Sequence, residues 1–246
     1  SNFKNLTNGK EEFYTIENER LKVTISNKGA RVYQAELKEY KTYEKKPLLL
    51  LNGEQNDFSY KIPLNRDVEN TQNYLFELVK ADAQQVTMRL YHTDSSAYLE
   101  QTYTLQPNSY VVDYGFKLVG FDKYLANNTN LELDWKTNLI KQEQALDNER
   151  HTTSIYYKEQ ADSPTYLSET ANDKKSISFS LDWVAFKQQF FNTTLIAPKS
   201  FNAGELSIEL PPASADTILE KAMAHLRIAY KQEPTFDFPM QFYFGP

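Results

Sequence analysis

The side chains best suited to acid–base chemistry are three histidines, His92, His151 and His225, which lie far apart in the sequence. A zinc site would be indicated by two histidines at close helical spacing beside a glutamate, and the sequence contains no such spacing. The chain also has no cysteine, which excludes thiolate metal sites, cysteine nucleophiles and disulfides. We therefore expect no metal and no cofactor, and we interpret the histidines as partly exposed residues near strand ends.

A histidine acid and a carboxylate base on one concave sheet would suit sugar mutarotation, which is a proton-transfer reaction. His92 and His151 with Glu205 or Glu209 are the groups that would form such a site. The alternative is that the carboxylates face solvent, as Glu209 should between two apolar neighbours in a strand. A mutarotase-like carbohydrate enzyme, or a sugar-binding β-sandwich, is therefore the second hypothesis for this chain.

Two further carboxylates, Glu132 and Asp134, lie two residues apart, so in a strand both side chains point to the same face. A glycosidase needs its two carboxylates on opposite sides of the substrate, and we interpret this pair as solvated surface. The sequence has neither a G-x-S-x-G turn nor a glycine-rich phosphate loop. We predict no catalytic residue and a protein that is not an enzyme.

The composition narrows the possible functions further. The 246 residues carry a net charge of -6 and no basic run longer than a pair, which argues against binding to a nucleic-acid backbone. The longest aliphatic run, residues 48–51, is far shorter than the roughly 20 residues that cross a bilayer. Because the chain begins with Ser1 rather than methionine, we interpret it as a piece cut from a longer protein.

Alternating apolar and polar residues predict an all-β fold. The 17 tyrosines and 15 phenylalanines, against 7 glycines, suit wide cores between sheets. So many strands need two large stacked sheets, and we predict a two-sheet β-supersandwich that forms one domain over residues 1–246, with residues 1–12 disordered or linker. The strands are predicted at residues 21–25, 30–40, 86–90, 99–105, 110–119, 131–136, 155–157, 176–181, 206–210, 225–230 and 240–244. Both faces of 110–119 are apolar enough to make it a central strand.

Two segments are less regular, so at most one or two short helices are expected. Residues 142–148 are polar and tolerate a helix, but we favour a loop. Residues 217–224 fit either a short helix, with Thr217 and Glu220 as a capping box, or a continuation of the strands.

The most aromatic segment runs from Asp182 to Pro198 and carries almost no reactive side chain. If it is core, Trp183, Phe186 and Phe190 pack between the sheets, and this is the interpretation that we favour. If it is a binding surface, the same aromatic residues are exposed anchors for a partner.

The same segment resembles a known family. Trp183-Val184-Ala185, then Gln188-Gln189-Phe190-Phe191, then Ile196-Ala197-Pro198 is similar to the hallmark stretch of the periplasmic domain of YidC, the bacterial membrane protein insertase. In that family a W-V-A precedes an aromatic pair and an I-P-like end. Ala197 is a departure, because the family more often has isoleucine and proline adjacent.

Other parts of the chain match in the same order. Residues 13–25 resemble the opening strand pair, and 26–32 resemble the N-x-G-G/A turn with the next strand. Residues 242–246 resemble a terminal strand that ends in aromatic-x-G-P, whereas 211–239 match only loosely. The residues that mark the family, structural rather than catalytic, are Gly29, Trp183, Val184, Ala185, Phe190, Phe191, Pro198, Gly245 and Pro246.

The resemblance implies a β-supersandwich like that of galactose mutarotases but without their activity. It implies a domain on the periplasmic side of the bacterial inner membrane, held there by membrane helices outside this sequence. It further implies contact with accessory subunits of the Sec translocon and with nascent membrane proteins. In this family the arginine-bearing groove that handles substrate helices lies in the membrane part, so the resemblance assigns no functional site here.

Overall fold

The predicted all-β fold is confirmed by a computed structural model of the chain, which describes residues 1–4, 9–94 and 96–246. Alternating burial along most strands shows why they form, since one face of each covers the core. Within the described residues the strands are β1 (Phe13–Glu17), β2 (Leu21–Ser26), β3 (Arg31–Lys41), β4 (Pro47–Asn52), β5 (Asn56–Leu64), β6 (Asp67–Asn70), β7 (Glu77–Ala81), β8 (Gln85–Tyr91), β9 (Tyr98–Leu105), β10 (Val111–Val119), β11 (Asn130–Ile140), β12 (Ser154–Glu159), β13 (Thr165–Tyr166), β14 (Asp173–Ile177), β15 (Leu181–Lys187), β16 (Asn192–Phe201), β17 (Ala203–Glu209), β18 (Ile218–Ala229) and β19 (Thr235–Gly245).

Helical structure in the described residues is limited to one short α-helix, α1 (Leu146–Arg150), and three 3₁₀ turns at Gly53–Gln55, Thr71–Asn73 and Phe121–Lys123. Across these same residues no helix has the length and apolar character needed to cross a membrane.

The strands form three sheets, of which two are large. The nine-stranded sheet has the order β13-β12-β15-β16-β19-β10-β9-β8-β7, and the six-stranded sheet the order β14-β17-β18-β11-β5-β6. The third sheet, β1-β2-β3-β4, has four strands. Every pairing between these strands is antiparallel, as expected where each sheet buries one face and leaves the other to solvent.

The two large sheets enclose an aromatic core. Trp135 of β11 is fully buried and stacks on Phe186 of β15 with ring centroids 3.9 Å apart. Phe58 of β5 packs against Phe242 of β19 at 5.5 Å. Each of these contacts joins the six-stranded sheet to the nine-stranded sheet, so the predicted stacking of two large sheets is confirmed.

A buried chain of hydrogen bonds ties all three sheets together. The Tyr60 hydroxyl of β5 lies 2.7 Å from that of Tyr114 in β10, which donates to Gln101 Oε1 of β9 at 2.6 Å. Gln101 Nε2 in turn donates to the Gly29 carbonyl, in the β2–β3 turn, at 2.9 Å. Burial raises the pKa of both Tyr60 and Tyr114 well above the ordinary tyrosine value, so both stay neutral. We call these four residues the tyrosine–glutamine chain.

The turn held by this chain depends on backbone freedom at Gly29. Its φ is +74°, and that of Ala30 is +49°, so two successive residues lie in the left-handed region. Tyr103 donates to the Ala30 carbonyl at 2.7 Å and so fixes the position of Ala30, the second of these two residues. The predicted turn at residues 26–29 therefore leads into β3 through a fixed geometry.

Two predictions about local structure are wrong, and one open alternative is decided. Residues 178–180 do not continue a strand, because the chain passes there from β14 in one sheet to β15 in another and leaves Phe179 75% exposed. Of the two alternatives left open for 217–224, the helix does not form, because residues 218–224 belong to β18, which pairs with β11 and β17 on its two sides. The end of 142–148 is helical instead of loop, since the buried Glu149 of α1 accepts hydrogen bonds from the backbone N–H groups of Gln142 and Glu143 at 3.0–3.1 Å.

Two further expectations are refined by the structure. Strand β10 is interior, between β19 and β9, but only one of its faces is buried, since Asp113 is exposed on the other face. At the start of the chain, Phe3 is buried and bridges to His92, while Asn2 donates to Glu69. Residues 5–8 of the predicted linker lie outside the described residues.

We expect Tyr114→Phe to lower the free energy of unfolding by about 1–3 kcal/mol, because it leaves Tyr60 and Gln101 buried without their partner. The matched control is Tyr14→Phe, whose hydroxyl donates to Glu12 at the surface and whose loss should cost less than about 0.5 kcal/mol. Urea denaturation of both variants measures the difference. Equal costs would show that the tyrosine–glutamine chain does not stabilise the fold.

Candidate functional site

The histidines expected to lie near strand ends have three different environments. His92 is buried and stacks on Tyr124 with ring centroids 4.3 Å apart, so it is a core residue rather than a partly exposed one. His151 is exposed directly after α1. His225 lies within β18 on the solvent-facing side of the six-stranded sheet. The pairing of His92 or His151 with Glu205 or Glu209 does not form.

His225 instead meets other carboxylates. Its Nδ1 lies 2.5 Å from Asp134 Oδ1 and its Nε2 lies 3.8 Å from Glu132 Oε2, while Glu205 is its neighbour on β17. Lys61 Nζ pairs with Asp134 Oδ2 at 2.8 Å. Burial works against the charge of Asp134, but the hydrogen bonds from His225 and Lys61 hold its pKa below the usual value.

The carboxylates near His225 have basic side chains beside them. Glu205 also pairs with Lys174 at 2.8 Å, so the acids near His225 are shared among basic partners. Glu209 lies apart, at an exposed position 3.8 Å from Lys221. Among the described residues no group of three or more histidine, aspartate or glutamate side chains is arranged to hold a metal ion. An open face of paired charges gives a substrate no enclosed position beside the histidine.

The aromatic segment 182–198 divides between the two faces of the nine-stranded sheet. In β15, Val184 and Phe186 point into the core, whereas Trp183 and Ala185 point to the outer face. The prediction that Trp183 packs between the sheets is therefore wrong. Trp183 and Phe186 are three residues apart, and alternation along a strand must place them on opposite faces.

The Phe-Phe pair divides in the same way. Phe190 lies in the turn between β15 and β16 and is 57% exposed, so it does not pack between the sheets either. Phe191 is buried and meets Tyr40 of β3 edge to face at 5.1 Å. Gln188, at the start of the same turn, is buried and donates to the Ile140 carbonyl at 2.7 Å.

The outer face of β15 forms a hollow with its neighbours. Strand pairing sets Trp183 beside Ile196 of β16, and Ala185 lies between Tyr156 of β12 and Thr194 of β16. The hollow has a volume of about 390 Å³. We call it the aromatic hollow and define it by Tyr156, Trp183, Ala185, Thr194, Ile196 and Tyr243.

The rim of the aromatic hollow is aromatic and basic. Tyr166 is 54% exposed and stacks on Tyr156 with centroids 4.8 Å apart. Lys187 Nζ lies 5.5 Å from the Tyr156 ring, within range of a cation–π contact. Burial, followed by a hydrogen bond to Glu169, raises the pKa of Tyr156 to about 12, so this hydroxyl is neutral near pH 7.

A polar cleft of about 580 Å³ continues the same face of the sheet. Its floor includes Thr87, Thr102, Asp113 and Gln241, and Pro198 lies at its edge. Gln241 Nε2 donates to Asp113 Oδ1 at 2.9 Å. The cleft and the aromatic hollow adjoin on the outer face of the nine-stranded sheet and are lined by Trp183, Ala185 and Pro198, three of the residues that carry the family resemblance, which makes this face the candidate binding site.

The last two marker residues also border this face. A Cβ on Gly245 would lie 2.7 Å from the Tyr243 hydroxyl and 3.2 Å from Tyr110 Cγ, so only glycine lets those two rings approach. The Tyr243 hydroxyl donates to an oxygen of Pro246 at 2.7 Å.

One strongly perturbed group escaped the sequence analysis. Glu220 of β18 is fully buried, and neither carboxyl oxygen has a hydrogen-bond partner among the described residues. Burial, reinforced by the nearby Glu169, raises the pKa of Glu220 to about 9. In a strand, Glu220 shares a face with Ala222 and Ala224, which are buried, and this alternation could have indicated that Glu220 is buried. The interpretation of Glu220 as part of a capping box led away from that conclusion.

Comparison with known proteins gives two kinds of similarity. The family model described as the YidC periplasmic domain matches residues 14–246. Proteins named membrane protein insertase YidC match at 35% identity over 99% of this chain, from Bacteroides fragilis strain YCH46, and at 34% over 97%, from Parabacteroides distasonis. The chain covers 39% and 38% of those two proteins, or about two fifths of their length.

Solved structures confirm the galactose mutarotase-like fold. A galactose mutarotase-like protein from Lactobacillus casei matches with a TM-score of 0.61 over 95% of this chain and all of its own. A putative aldose 1-epimerase from Escherichia coli K12 matches with a TM-score of 0.58 over 96% of this chain and 99% of its own. Both are 10% identical to it, so the similarity concerns the fold.

We expect Trp183→Ala to cost about 1 kcal/mol of stability and Trp135→Ala about 3–5 kcal/mol. Both remove an indole, but only Trp135 is fully enclosed between the sheets. Chemical denaturation of the two variants compares the sites directly. A cost for Trp183→Ala as large as that for Trp135→Ala would place Trp183 in the core after all.

We expect Glu220→Gln to stabilise the protein increasingly as pH rises above about 5. The folded pKa is about 9 and the ordinary value is 4.5, so between them the unfolded state loses a proton that the folded state keeps, and stability falls with pH. At about 1.4 kcal/mol per pH unit, the advantage of the variant should grow by roughly 2–3 kcal/mol between pH 6 and pH 8.

Urea denaturation at several pH values between 5 and 8 measures this growth. Glu205→Gln, on the neighbouring strand at an exposed position, is the control and should show no such increase. A difference between Glu220→Gln and the wild type that does not change with pH would contradict the assignment.

Proposed function

The chain belongs to the family of YidC periplasmic domains, and we propose that it acts as a non-enzymatic contact module of a membrane protein insertase. In this role it is a single domain over residues 1–246, on the periplasmic side of the bacterial inner membrane. It aids the insertion and folding of membrane proteins through protein–protein contacts. Because the chain spans about two fifths of its relatives, insertion itself is the work of the longer protein.

The observation that carries this proposal is the partial exposure of Trp183, which lines the aromatic hollow with the small side chain of Ala185 at its floor. An apolar hollow on the outside of a sheet loses contact with water when a partner covers it, and large aromatic side chains contribute strongly to such contacts. In this chain the hollow has apolar walls from Trp183, Ile196 and Tyr243.

The proposed occupant is an extended apolar segment of a membrane protein that is being inserted. Such a segment supplies apolar side chains for the aromatic hollow. Its backbone N–H and C=O groups match the hydroxyl and amide groups of Thr102 and Gln241 in the adjoining polar cleft. The accessory subunit of the Sec translocon, which the family resemblance suggests as a partner, is the competing occupant.

A non-enzymatic role is favoured by the position of the acid–base groups. Neither the aromatic hollow nor the polar cleft includes a histidine among the described residues that line it. The histidine–carboxylate group around His225 lies on the other large sheet and shares its charges with Lys61. A mutarotase needs both proton-transfer groups around one sugar ring.

Site-specific photocross-linking in the full-length insertase tests the proposal. We expect a cross-linking residue at Ala185 to capture nascent membrane protein, and the same residue at Met223, outward-facing on the six-stranded sheet, to capture much less. In the Ala185 cross-linker background, Trp183→Ala should reduce the yield severalfold by removing the largest wall of the hollow.

Two outcomes would contradict the proposal. Equal capture at positions 185 and 223 would mean that the aromatic hollow has no special role. Capture at 185 of the Sec accessory subunit alone would assign the hollow to that partner and overturn the nascent-chain occupant.

A further inference from the structure

A second cavity, of about 660 Å³, lies beside the turn that contains Gly29, away from the aromatic hollow. Its walls come from that turn, from the start of β3 and β5, and from the 3₁₀ turn Thr71–Asn73. Its charged groups are Lys28, Arg31, Glu54 and Asp57, two cations and two carboxylates. We call it the Arg31 cavity.

Arg31 is the unusual member of this group. The residue is only 7% exposed, and in the described residues its guanidinium makes one hydrogen bond, from Nη1 to the Asn56 carbonyl at 2.8 Å. The guanidinium also lies 5.3 Å from the Tyr33 ring. A guanidinium has five N–H donors, so most of the donors of this buried cation have no protein acceptor among the residues that the structure describes.

The Arg31 donors without a protein acceptor are not sealed in the interior but open towards the cavity, where a ligand can reach them. Within the described residues Arg31 has no carboxylate within 4.0 Å, although Glu54 and Asp57 line the same cavity. The planar fork of donors suits an oxyanion, because two parallel N–H groups can bind two of its oxygens. The cavity in front of Arg31 is therefore suited to the oxyanion of a ligand.

The position of Arg31 is fixed before any ligand arrives. The two preceding carbonyls, of Gly29 and Ala30, accept hydrogen bonds from Gln101 and Tyr103 in the core. On the other side, Asn56 donates from Nδ2 to the Val32 carbonyl at 2.7 Å. A rigid backbone on both sides of Arg31 reduces the entropy that would otherwise be lost on binding.

The two carboxylates decide which kind of oxyanion fits. Glu54 is exposed and Asp57 is half-buried, and neither forms an ion pair within 4.0 Å to Lys28 or Arg31 in the described part of the chain. A simple anion would be attracted by the two cations and repelled by the two acids. A ligand that carries both an oxyanion and an ammonium can pair its negative group with the two cations and its positive group with the two carboxylates.

We propose that the Arg31 cavity binds a zwitterion in which an oxyanion lies a few bonds from a primary ammonium, the chemistry of a phosphoethanolamine group. Arg31 and Lys28 hold the phosphate, and Glu54 and Asp57 accept hydrogen bonds from the ammonium. The group can belong to a lipid headgroup or to a small soluble molecule, and both share this chemistry.

Titration of the isotope-labelled chain with O-phosphoethanolamine, followed by amide chemical shifts, tests the proposal. We expect shifts concentrated in residues 28–31, 54–57 and 72–73, and weaker binding of either inorganic phosphate or ethanolamine alone. Shifts elsewhere only, or equal affinity for inorganic phosphate and O-phosphoethanolamine, would overturn it.

Variants assign the roles. Arg31→Gln, which keeps a donor for the Asn56 carbonyl, should weaken phosphoethanolamine binding about tenfold or more. Lys28→Met should also weaken phosphoethanolamine binding, and because Lys28 is exposed this substitution should not affect folding. Lys80→Met on β7, also exposed, is the matched control and should leave the affinity unchanged. Unchanged affinity in both Arg31→Gln and Lys28→Met would overturn the proposal.

The carboxylates give the sharpest test. The double variant Glu54→Gln with Asp57→Asn should bind phosphoethanolamine more weakly and inorganic phosphate more tightly, because it removes both the ammonium acceptors and the repulsion. If the double variant changed its affinity for phosphoethanolamine and for inorganic phosphate in the same direction, the roles assigned to Glu54 and Asp57 would be wrong.

Vesicles separate the two sources of the group. Cosedimentation with phosphatidylethanolamine vesicles, but not with phosphatidylcholine vesicles whose quaternary ammonium has no N–H to donate, would assign the cavity to a lipid headgroup. Binding of soluble O-phosphoethanolamine without vesicle binding would assign it to a soluble zwitterion. Binding of neither probe would overturn the proposal.

Discussion

The three sheets of this protein depend on one buried line of hydrogen bonds, the tyrosine–glutamine chain. Each of its polar groups lies where water cannot replace a lost partner, so breaking one link leaves a buried group unpaired and destabilises the packing of the sheets. The line begins at Tyr60 in one large sheet, passes through Tyr114 and Gln101 in the other, and ends at the Gly29 carbonyl of the small sheet. Gly29, whose positive φ favours glycine, is thereby connected through its carbonyl to the centre of the core.

The second constraint is the two-residue period of a strand, which gives one motif two separate roles. In β15, Val184 and Phe186 point into the core, and Trp183 and Ala185 point to the outer face of the sheet, where Trp183 is partly exposed and the small Ala185 is covered. One short stretch of a strand can therefore place one set of side chains in the core and the other set on the outer face of the sheet. The Phe-Phe pair shows the same division at a turn, where Phe191 is buried and Phe190 is exposed.

The sequence predicted the all-β class and most strands because alternation is a local signal that burial of one face enforces. It failed where the outcome depends on distant partners. Glu220 looked like a helix cap, yet β18 is a strand because β11 and β17 pair with it on both sides. His225 and Asp134 are 91 residues apart in sequence, and only the pairing of β18 with β11 brings them together. The Arg31 cavity is likewise built from three segments that are separate in sequence, 28–31, 54–57 and 72–73, so no single stretch of sequence indicated it.

The similarity to mutarotase-like structures shows how far a fold can be separated from chemistry. A TM-score of 0.61 at 10% identity means that the overall fold is shared although about nine in ten of the aligned residues differ. Catalysis requires the acid, the base and the cavity on the same face of a sheet. In this chain the histidine–carboxylate group lies on the six-stranded sheet, whereas the aromatic hollow lies on the nine-stranded sheet. A shared backbone fold therefore does not bring the catalytic arrangement with it, because that arrangement depends on which side chains meet on one face of a sheet.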